Sequence, residues 1–521
     1  MASKHVIAAL LEYRATEHPD QVFLKMRGVL ATWGDFYADV LRVGGGLRDA
    51  GLKPGERVAI MLPNSPEFLS AHFGTIAAGL APVPVNTAQR GETLAFLLRD
   101  SGARGIVIDS AFWSQYEPAR SERKLVEFVR GEPPAGTKGA VALRDVLAGP
   151  TAEPSASDTV SEGEPAGAFG VLYTSGTTGP PKGVVPTRTD IGPLLAMWQA
   201  MEVQAGETIY TCLPLFHGNP LAISVLGAIF LDAQIAVSER FSASRFWDEV
   251  RSFDAVEFNH VGAVIPILLK QPERGDDRDN PMRVCLSAGC PSHAWEPFQD
   301  RFGVKIVEQF SMVDAPGYLI NLDGRVGSMG KPVAGCEATI LDDDGAPQQA
   351  GRVGELALRA SEGRTHYYLN QPDATEDAFR GGWFHTGDLA WRDEDGFFYY
   401  AGRKRESMRR RGENVSAWEV ENVVNQFPGV LESAAHAVAS DLGEDEIKVV
   451  VVSRDGSRVD PVALLDFCAT RMARYAVPRY VEARGEIPKT PTQRPRYAEL
   501  KLEGITEATW DREAAGYALP G

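Results

Sequence analysis

Short apolar runs and amphipathic stretches take turns along this chain. RVAIMLP (57–63), GIVID (105–109), FGVLYT (169–174), TIYTCLP (208–214), AVEFNHV (255–261), RVCLSAG (283–289) and VKIVEQF (304–310) are rich in Val and Ile and end at Gly, Pro or charge. They predict buried strands. Between them, PEFLSAHFGTIAAGL (66–80) and NPLAISVLGAIFLD (219–232) predict helices. This alternation points to an α/β fold with largely parallel sheets. The N-terminus, MASKHVIAALLEYRATEHPD, has one short apolar run broken by Glu12 and Arg14, which predicts an amphipathic surface helix. It lacks the long apolar stretch and small-residue cleavage site of a secretion signal. No segment offers about eighteen uncharged apolar residues, so no membrane span is expected.

The pattern also marks boundaries. AGPTAEPSASDTVSEGEPAGA (148–168) is rich in Ala, Pro, Ser and Glu and reads as a surface connection between two subdomains, roughly 1–165 and 166–403. FFYYAGR (397–403) predicts a strand, and a cationic loop, KRESMRRRG, follows it. Ser416 and Glu419 then form a capping-box pattern ahead of the apolar stripe Val420, Val423, Val424 and Phe427. KVVVVS (448–453) predicts a strand, and Asp460 with Pro461 predicts the start of another helix. The expected division is a large N-terminal domain over 1–403 and a small α+β domain over 404–521. No internal repeat is visible.

Composition narrows the class. A chain of 521 residues is too long for one ordinary core, and 44% hydrophobic with 24% charged residues is the balance of a soluble globular protein. The formal net charge of −17 argues against nucleic acid and anionic membrane as partners. A local basic pocket for a small anion remains compatible with it. Cys212, Cys285, Cys290, Cys336 and Cys468 are scattered without a CxxC pair. They read mostly as small buried residues in a reducing cytoplasm.

The chemistry is most concentrated in VLYTSGTTGPPKGVVPTR (171–188), where an apolar strand runs into Ser and Thr hydroxyls, glycines and Lys182. Glycines let backbone N–H groups approach an anion, and hydroxyls add donors. Lys182 supplies a point charge suited to phosphate. This is not a Walker loop, because Gly183 follows Lys182 while Pro180 and Pro181 precede it. A plain polar hairpin loop is the competing reading.

The loop resembles that of the adenylate-forming superfamily, which includes acyl-CoA synthetases, luciferases and peptide-synthetase adenylation domains. Further segments resemble the same family in order: PNSPEFLSAHFGTIAAGLAPVPVN (63–86), LPLFHGN (213–219), LSAGCP (286–291), EQFSMVDA (308–315), GWFHTGDL (382–389), YYAGRKRESMRRRGENVSAWEVE (399–421) and IPKTPTQRPR (487–496). On GENVSAWEVEN and GWFHTGDL the chain is most similar to crotonobetaine/carnitine-CoA-ligase-like enzymes. The resemblance implies a large domain of parallel-rich sheets flanked by helices, plus a small C-terminal domain that rotates. It implies attack of a small acid on the α-phosphate of ATP with magnesium, then transfer of the acyl group from AMP to coenzyme A. Dimers are common among such ligases.

It also implies roles. Thr174, Ser175, Gly176, Thr177, Thr178, Gly179 and Lys182 would cradle the β- and γ-phosphates. Asp388 and Arg403 would contact the ribose, and Phe310 would stack on adenine beside Ser311. His217 would sit near the acid carboxylate and the thiol tunnel. Ser287, Ala288, Gly289 and Met312 would wall the acid pocket. Asp314 would hold magnesium, Gly412 would line the pantetheine tunnel, and Arg405 would be the hinge, where Asp or Lys is commoner. Arg494 stands where the family places its catalytic lysine. Arg188 replaces a usual His, Val313 lacks the usual hydroxyl, and Asp314 replaces a longer Glu. Arg spreads its charge over a planar fork, so its exchange for Lys is not conservative. Three readings stand: an acid–CoA ligase, an adenylate-former with an unusual acid or acceptor such as a nitrite-activating diazotase, and an impaired nucleotide-binding homologue.

Overall fold

The apolar runs pair with one another, and mostly in parallel. In the computed structural model, which describes residues 6–120, 124–137, 139–151, 170–174, 181–187, 192–262, 264–361, 363–410, 413–439, 445–454, 456–457, 459–472, 474–490 and 493–519, they build two large sheets. One sheet runs Ala81–Pro84, Arg57–Met61, Gly105–Asp109, Val126–Arg130, Val141–Ala142, parallel throughout. The other runs Leu319–Ile320, Lys305–Phe310, Val284–Ala288, Ala255–Val261, Thr208–Thr211, Gln234–Val237, Val22–Met26, Val29–Thr32. Its central pairings are parallel and bring His260, Ser287 and Glu308 abreast.

Strands buried on both faces need cover on both faces, which is why these runs are continuously apolar rather than alternating. One core joins Val58 and Ile60 of the first sheet, Phe36, Val40, Phe68 and Phe73 of two helices, and Ile209, Leu286 and Val307 of the second sheet. Leu94, Leu98 and Trp113 cover the far face of the first sheet. Trp247, Trp295 and Phe298 cover that of the second. The helices Trp33–Asp49 and Pro66–Ala77 pack so closely that a Cβ on Gly74 would stand 2.8 Å from the Val40 carbonyl oxygen.

The chain divides into two compact units. The first comprises Met1–Val326, Pro332–Glu337 and Arg359–Phe384, and holds both large sheets. The second comprises Gly327–Lys331, Ala338–Leu358 and His385–Gly521. It is built on an antiparallel pair, Phe384–Arg392 with Phe398–Arg403, and on a C-terminal sheet of Val430–Ala439, Asp445–Ser453, Tyr480–Arg484 and Trp510–Asp511. Helices Ala417–Val424 and Pro461–Ala469 pack on one face of that sheet, and Leu500 of Tyr497–Glu503 packs on the other. Ser416 accepts from the Glu419 N–H, which is one half of the expected capping box, and Asp460 accepts from the Val462 N–H.

Two elements differ from expectation. The run 169–174 gives a strand only over Leu172–Tyr173, with Thr174 N–H still bonded to the Lys182 carbonyl beyond it. The helix expected over 219–232 opens as a π-helical turn, Pro220–Val225, before continuing as Leu226–Leu231. Pro220 has no N–H to give, and Ser224 and Asn219 bond to Asn259 across the sheet instead. Most of the connection at 148–168 lies outside the described residues. Among the described residues no helix is long and apolar enough to cross a membrane.

The strand entering the phosphate loop is anchored where Val171 N–H donates to the Pro82 carbonyl at 2.9 Å. Gly170, at φ +66°, passes so near that a Cβ would lie 1.8 Å from that oxygen. Gly28, at φ +77°, has nothing within 4 Å of its Cβ position. Gly28→Ala is therefore expected to cost only the left-handed backbone penalty, about 1–2 kcal/mol. Gly170→Ala adds overpacking of about 1–3 kcal/mol more. Urea unfolding of the two variants checks the difference.

Candidate active site

The segment expected to bind phosphate has two antiparallel arms closed together by two residues. Leu172–Tyr173 runs antiparallel to Gly183–Pro186. Thr174 N–H donates to the Lys182 carbonyl at 3.0 Å, and Lys182 N–H donates back to Thr174 Oγ1 at 3.2 Å. Ser175, Gly176, Thr177, Thr178, Gly179 and Arg188 lie outside the described residues. A third strand, His366–Tyr368, pairs antiparallel with the returning arm. Its Tyr368 ring lies 4.5 Å beneath the Lys182 ammonium, and its hydroxyl donates to Asp314 Oδ2 at 2.7 Å. The hairpin is also pinned from behind, where Tyr173 OH donates to Asp100 Oδ2 at 2.8 Å.

Asn64 holds the segment 213–219. Its amide nitrogen donates to the Leu213 and Ser238 carbonyls at 2.9 and 2.8 Å, and its oxygen accepts from Leu215 N–H at 2.8 Å. All of these groups are buried, so each of the three bonds replaces one to water. His217 follows in a turn closed onto the Pro214 carbonyl, with its ring against Phe216 at 4.6 Å. At Gly218 a Cβ would sit 3.1 Å from both Leu172 and Val313, so this segment, the phosphate hairpin and the 310–314 segment meet there. Asn219 accepts from Asn259, which in turn accepts from Ser224.

Glu308 organises the adjacent wall. Ser287 Oγ and Gly289 N–H each donate to its carboxylate at 2.5 Å, and Cys290 N–H adds a longer bond at 3.3 Å. Burial pushes its pKa up to about 7, with those three donors pulling the other way. Ala288 ends its strand and Gly289 turns away at φ +99°. Phe310 closes the neighbouring strand half-buried, Ser311 is exposed, Met312 is half-buried and Val313 is 43% exposed.

The second unit gathers its own cluster. Asp388 and Arg403 face each other in antiparallel register, with Arg403 Nε 3.0 Å from Asp388 Oδ1. The turn before Asp388 is set by Thr386, whose hydroxyl donates to the Leu356 carbonyl, and by Glu355, which accepts from Gly387 N–H. Arg494 belongs to the same cluster. Partial desolvation first, and the nearby Arg403 charge second, lower the pKa of this surface-exposed side chain, while Tyr400, Asp388 and Glu406 oppose them. Its loop is a tight hairpin: Thr490 N–H donates to the Arg494 carbonyl at 2.8 Å, and Lys489 bridges to Pro495. Gln493 takes φ +63° at the turn. Arg405 lies on the short turn after Arg403, but its side chain, like Gly412, is outside the described residues.

The sequence-predicted residues therefore gather in two groups. Thr174, Lys182, His217, Ser287, Ala288, Gly289, Phe310, Ser311, Met312 and Asp314 lie in the first unit, and Asp388, Arg403 and Arg494 in the second. The sequence reading missed Asn64, Tyr368, Glu308 and Glu406. Glu308 was detectable as a lone acid inside an apolar strand, KIVEQF. Tyr368 carries no local signal, because its partner lies fifty-four residues away.

A model of the AMP-binding enzymes matches residues 11–368, and one of the AMP-binding enzyme C-terminal domain matches 419–494. The chain belongs to the AMP-binding enzyme family. It is 31% identical over 500 residues to a sulfoacetate–CoA ligase of Cupriavidus necator, covering 93% of this chain and 95% of that one. It is 29% identical over 452 residues to a crotonobetaine/carnitine–CoA ligase of Salmonella heidelberg, covering 84% and 87%. Its fold is similar to that of an anthranilate CoA ligase in complex with anthranoyl-AMP, with a TM-score of 0.85 at 25% identity, covering 95% and 96%. It is also similar in fold to the O-succinylbenzoate coenzyme A synthetase of Bacillus subtilis in complex with ATP and magnesium, with a TM-score of 0.79 at 23% identity, covering 94% and 99%.

Two outcomes follow from the site's hydrogen bonding. Glu308 is raised from 4.5 to about 7, so its contribution to stability is complete below about 4.5 and is lost as pH rises through about 7. The stability advantage of the native chain over Glu308→Gln should shrink on the order of 3 kcal/mol from about pH 5 to pH 8. A constant gap in denaturant titrations would contradict this. Asn64→Leu leaves two buried carbonyls and one N–H without partners and should cost about 3 kcal/mol or more, measured in the same way.

Proposed function

We propose that this enzyme joins a small acid to coenzyme A through an acyl-adenylate. One carboxylate oxygen forms a bond to the α-phosphorus of ATP, and the bond to pyrophosphate breaks. The thiol of coenzyme A then displaces AMP from the acyl carbon. The observation that carries this reading is the near full-length relation to a CoA ligase at 31% identity.

Residue roles follow from the chemistry of each group. Thr174 and Lys182, together with Ser175, Gly176, Thr177, Thr178 and Gly179, hold the β- and γ-phosphates. Asp388 accepts from the ribose hydroxyls beside Arg403. Phe310 and Ser311 border the adenine, and His217 meets the acid carboxylate. Ser287, Ala288, Gly289 and Met312 wall the acid pocket, and the Glu308 bonds fix that wall. Asp314 offers hard carboxylate oxygen, the donor type magnesium prefers. The metal there would neutralise phosphate charge, and Asp314 with Tyr368 and Lys182 would orient its ligands. Arg405 is the hinge about which residues 404–521 turn against 1–403, bringing Gly412 to the pantetheine in the second half-reaction. A cytoplasmic site of action suits ATP and coenzyme A as substrates.

Arg494 takes the place of the family lysine. No observation favours the nitrite-activating or the impaired reading. Pyrophosphate release with ATP and magnesium should occur with a carboxylic acid and increase with coenzyme A. Release with nitrite alone would sink the carboxylic-acid reading, and no release with any acid would sink the enzyme. Arg494→Ala should slow adenylation about 10²–10³-fold, the usual cost of removing one charge-stabilising donor. Arg494→Lys should speed carboxylate adenylation. A slower Lys variant would show that the guanidinium fork itself is required.

A further inference from the structure

Tyr368 is tied at both ends. Its N–H donates to Thr375 Oγ1 at 2.9 Å, and its strand pairs with Gly183–Pro186 so that Tyr368 stands opposite Val184. Its hydroxyl donates to Asp314 Oδ2 at 2.7 Å, with Tyr368 only 4% and Asp314 9% exposed. The ring face carries the Lys182 ammonium at 4.5 Å. One side chain thus touches both the cation of the phosphate hairpin and the carboxylate of the 310–314 segment.

Such a link is unnecessary for packing alone, since a phenylalanine would fill the same space. Its hydroxyl matters to Asp314. An aspartate arm is one methylene shorter than a glutamate arm, and where it points decides whether it reaches a metal. A donor bonded to one oxygen fixes that direction, as outer partners commonly do for ligating carboxylates. We propose that Tyr368 is a positioning residue that holds the short Asp314 side chain in the orientation magnesium requires. This rests on the assignment of Asp314 to magnesium made above.

The test titrates Mn²⁺ into the purified full-length chain with a non-hydrolysable ATP analogue, reading free Mn²⁺ by electron paramagnetic resonance. Tyr368→Phe keeps the ring under Lys182 and should weaken Mn²⁺ binding about tenfold, with metal-free binding of the analogue within about twofold of native. On an Asp314→Glu background the longer arm should make the hydroxyl dispensable, so Tyr368→Phe should then cost about twofold or less. Native Mn²⁺ affinity in Tyr368→Phe overturns the proposal. An equal loss on both backgrounds overturns it too, because the hydroxyl would then act on something other than the short arm. If the native chain with the analogue binds no Mn²⁺, the metal assignment falls and this inference with it. If the native chain binds Mn²⁺ and only Tyr368→Phe is indifferent, the assignment stands and this inference alone is lost. Should Tyr368→Phe not fold, Thr375→Val frees the tyrosine N–H instead. Weaker Mn²⁺ binding in that variant supports the proposal, and unchanged binding overturns it.

Discussion

Parallel pairing of the central strands is the constraint on which the first unit's site depends. Ala255–Val261, Val284–Ala288 and Lys305–Phe310 run the same way and stop at one edge. Parallel strands deliver their following loops to a common side, where ligands of such sheets bind. The chain then has to turn sharply three times in a small space. Gly262 N–H donates to the Ala288 carbonyl at 2.9 Å, and Gly289 turns at positive φ just above it. Glu308 bonds the second of these turns to the third strand. Without that carboxylate, two N–H groups at the strand end would face an apolar interior unpaired.

Charge supplies the second constraint. Lys182 in the first unit and Arg403 and Arg494 in the second are each held by a different means. Lys182 rests on an aromatic face, and Arg403 is paired with Asp388. Desolvation first, and the charge of Arg403 second, lower the pKa of Arg494, with Tyr400, Asp388 and Glu406 opposing. Asp388, Tyr400 and Glu406 favour the charged form of Arg403 and act in the same direction on Arg494.

Most strands were legible because continuous Val- and Ile-rich runs bounded by Gly or Pro leave little choice but burial in a parallel sheet. The helix caps at Ser416 and Asp460 were legible because their signals span three residues. The ordered set of motif segments supplied the candidate residues, and the structure places Thr174 with Lys182 and Asp388 with Arg403 in direct contact. What stayed hidden were contacts between distant segments. Asn64 reaches Leu213 and Ser238, and Tyr368 reaches Asp314, from parts of the chain with no shared pattern. The π-helical turn at Pro220 was hidden for a related reason. Apolar periodicity records which face is buried, not that Asn259 on another strand draws the first turn open.

Gly218 leaves the segment assigned to the acid in contact with the phosphate hairpin at Leu172 and with the nucleotide segment at Val313. With the roles proposed above, no spacer separates the acid segment from the nucleotide segments at this point, and selectivity for the acid is then not an isolated module there. Any bulk added there pushes directly on the nucleotide side, and variants chosen for a new acid will carry a correlated change in their handling of ATP.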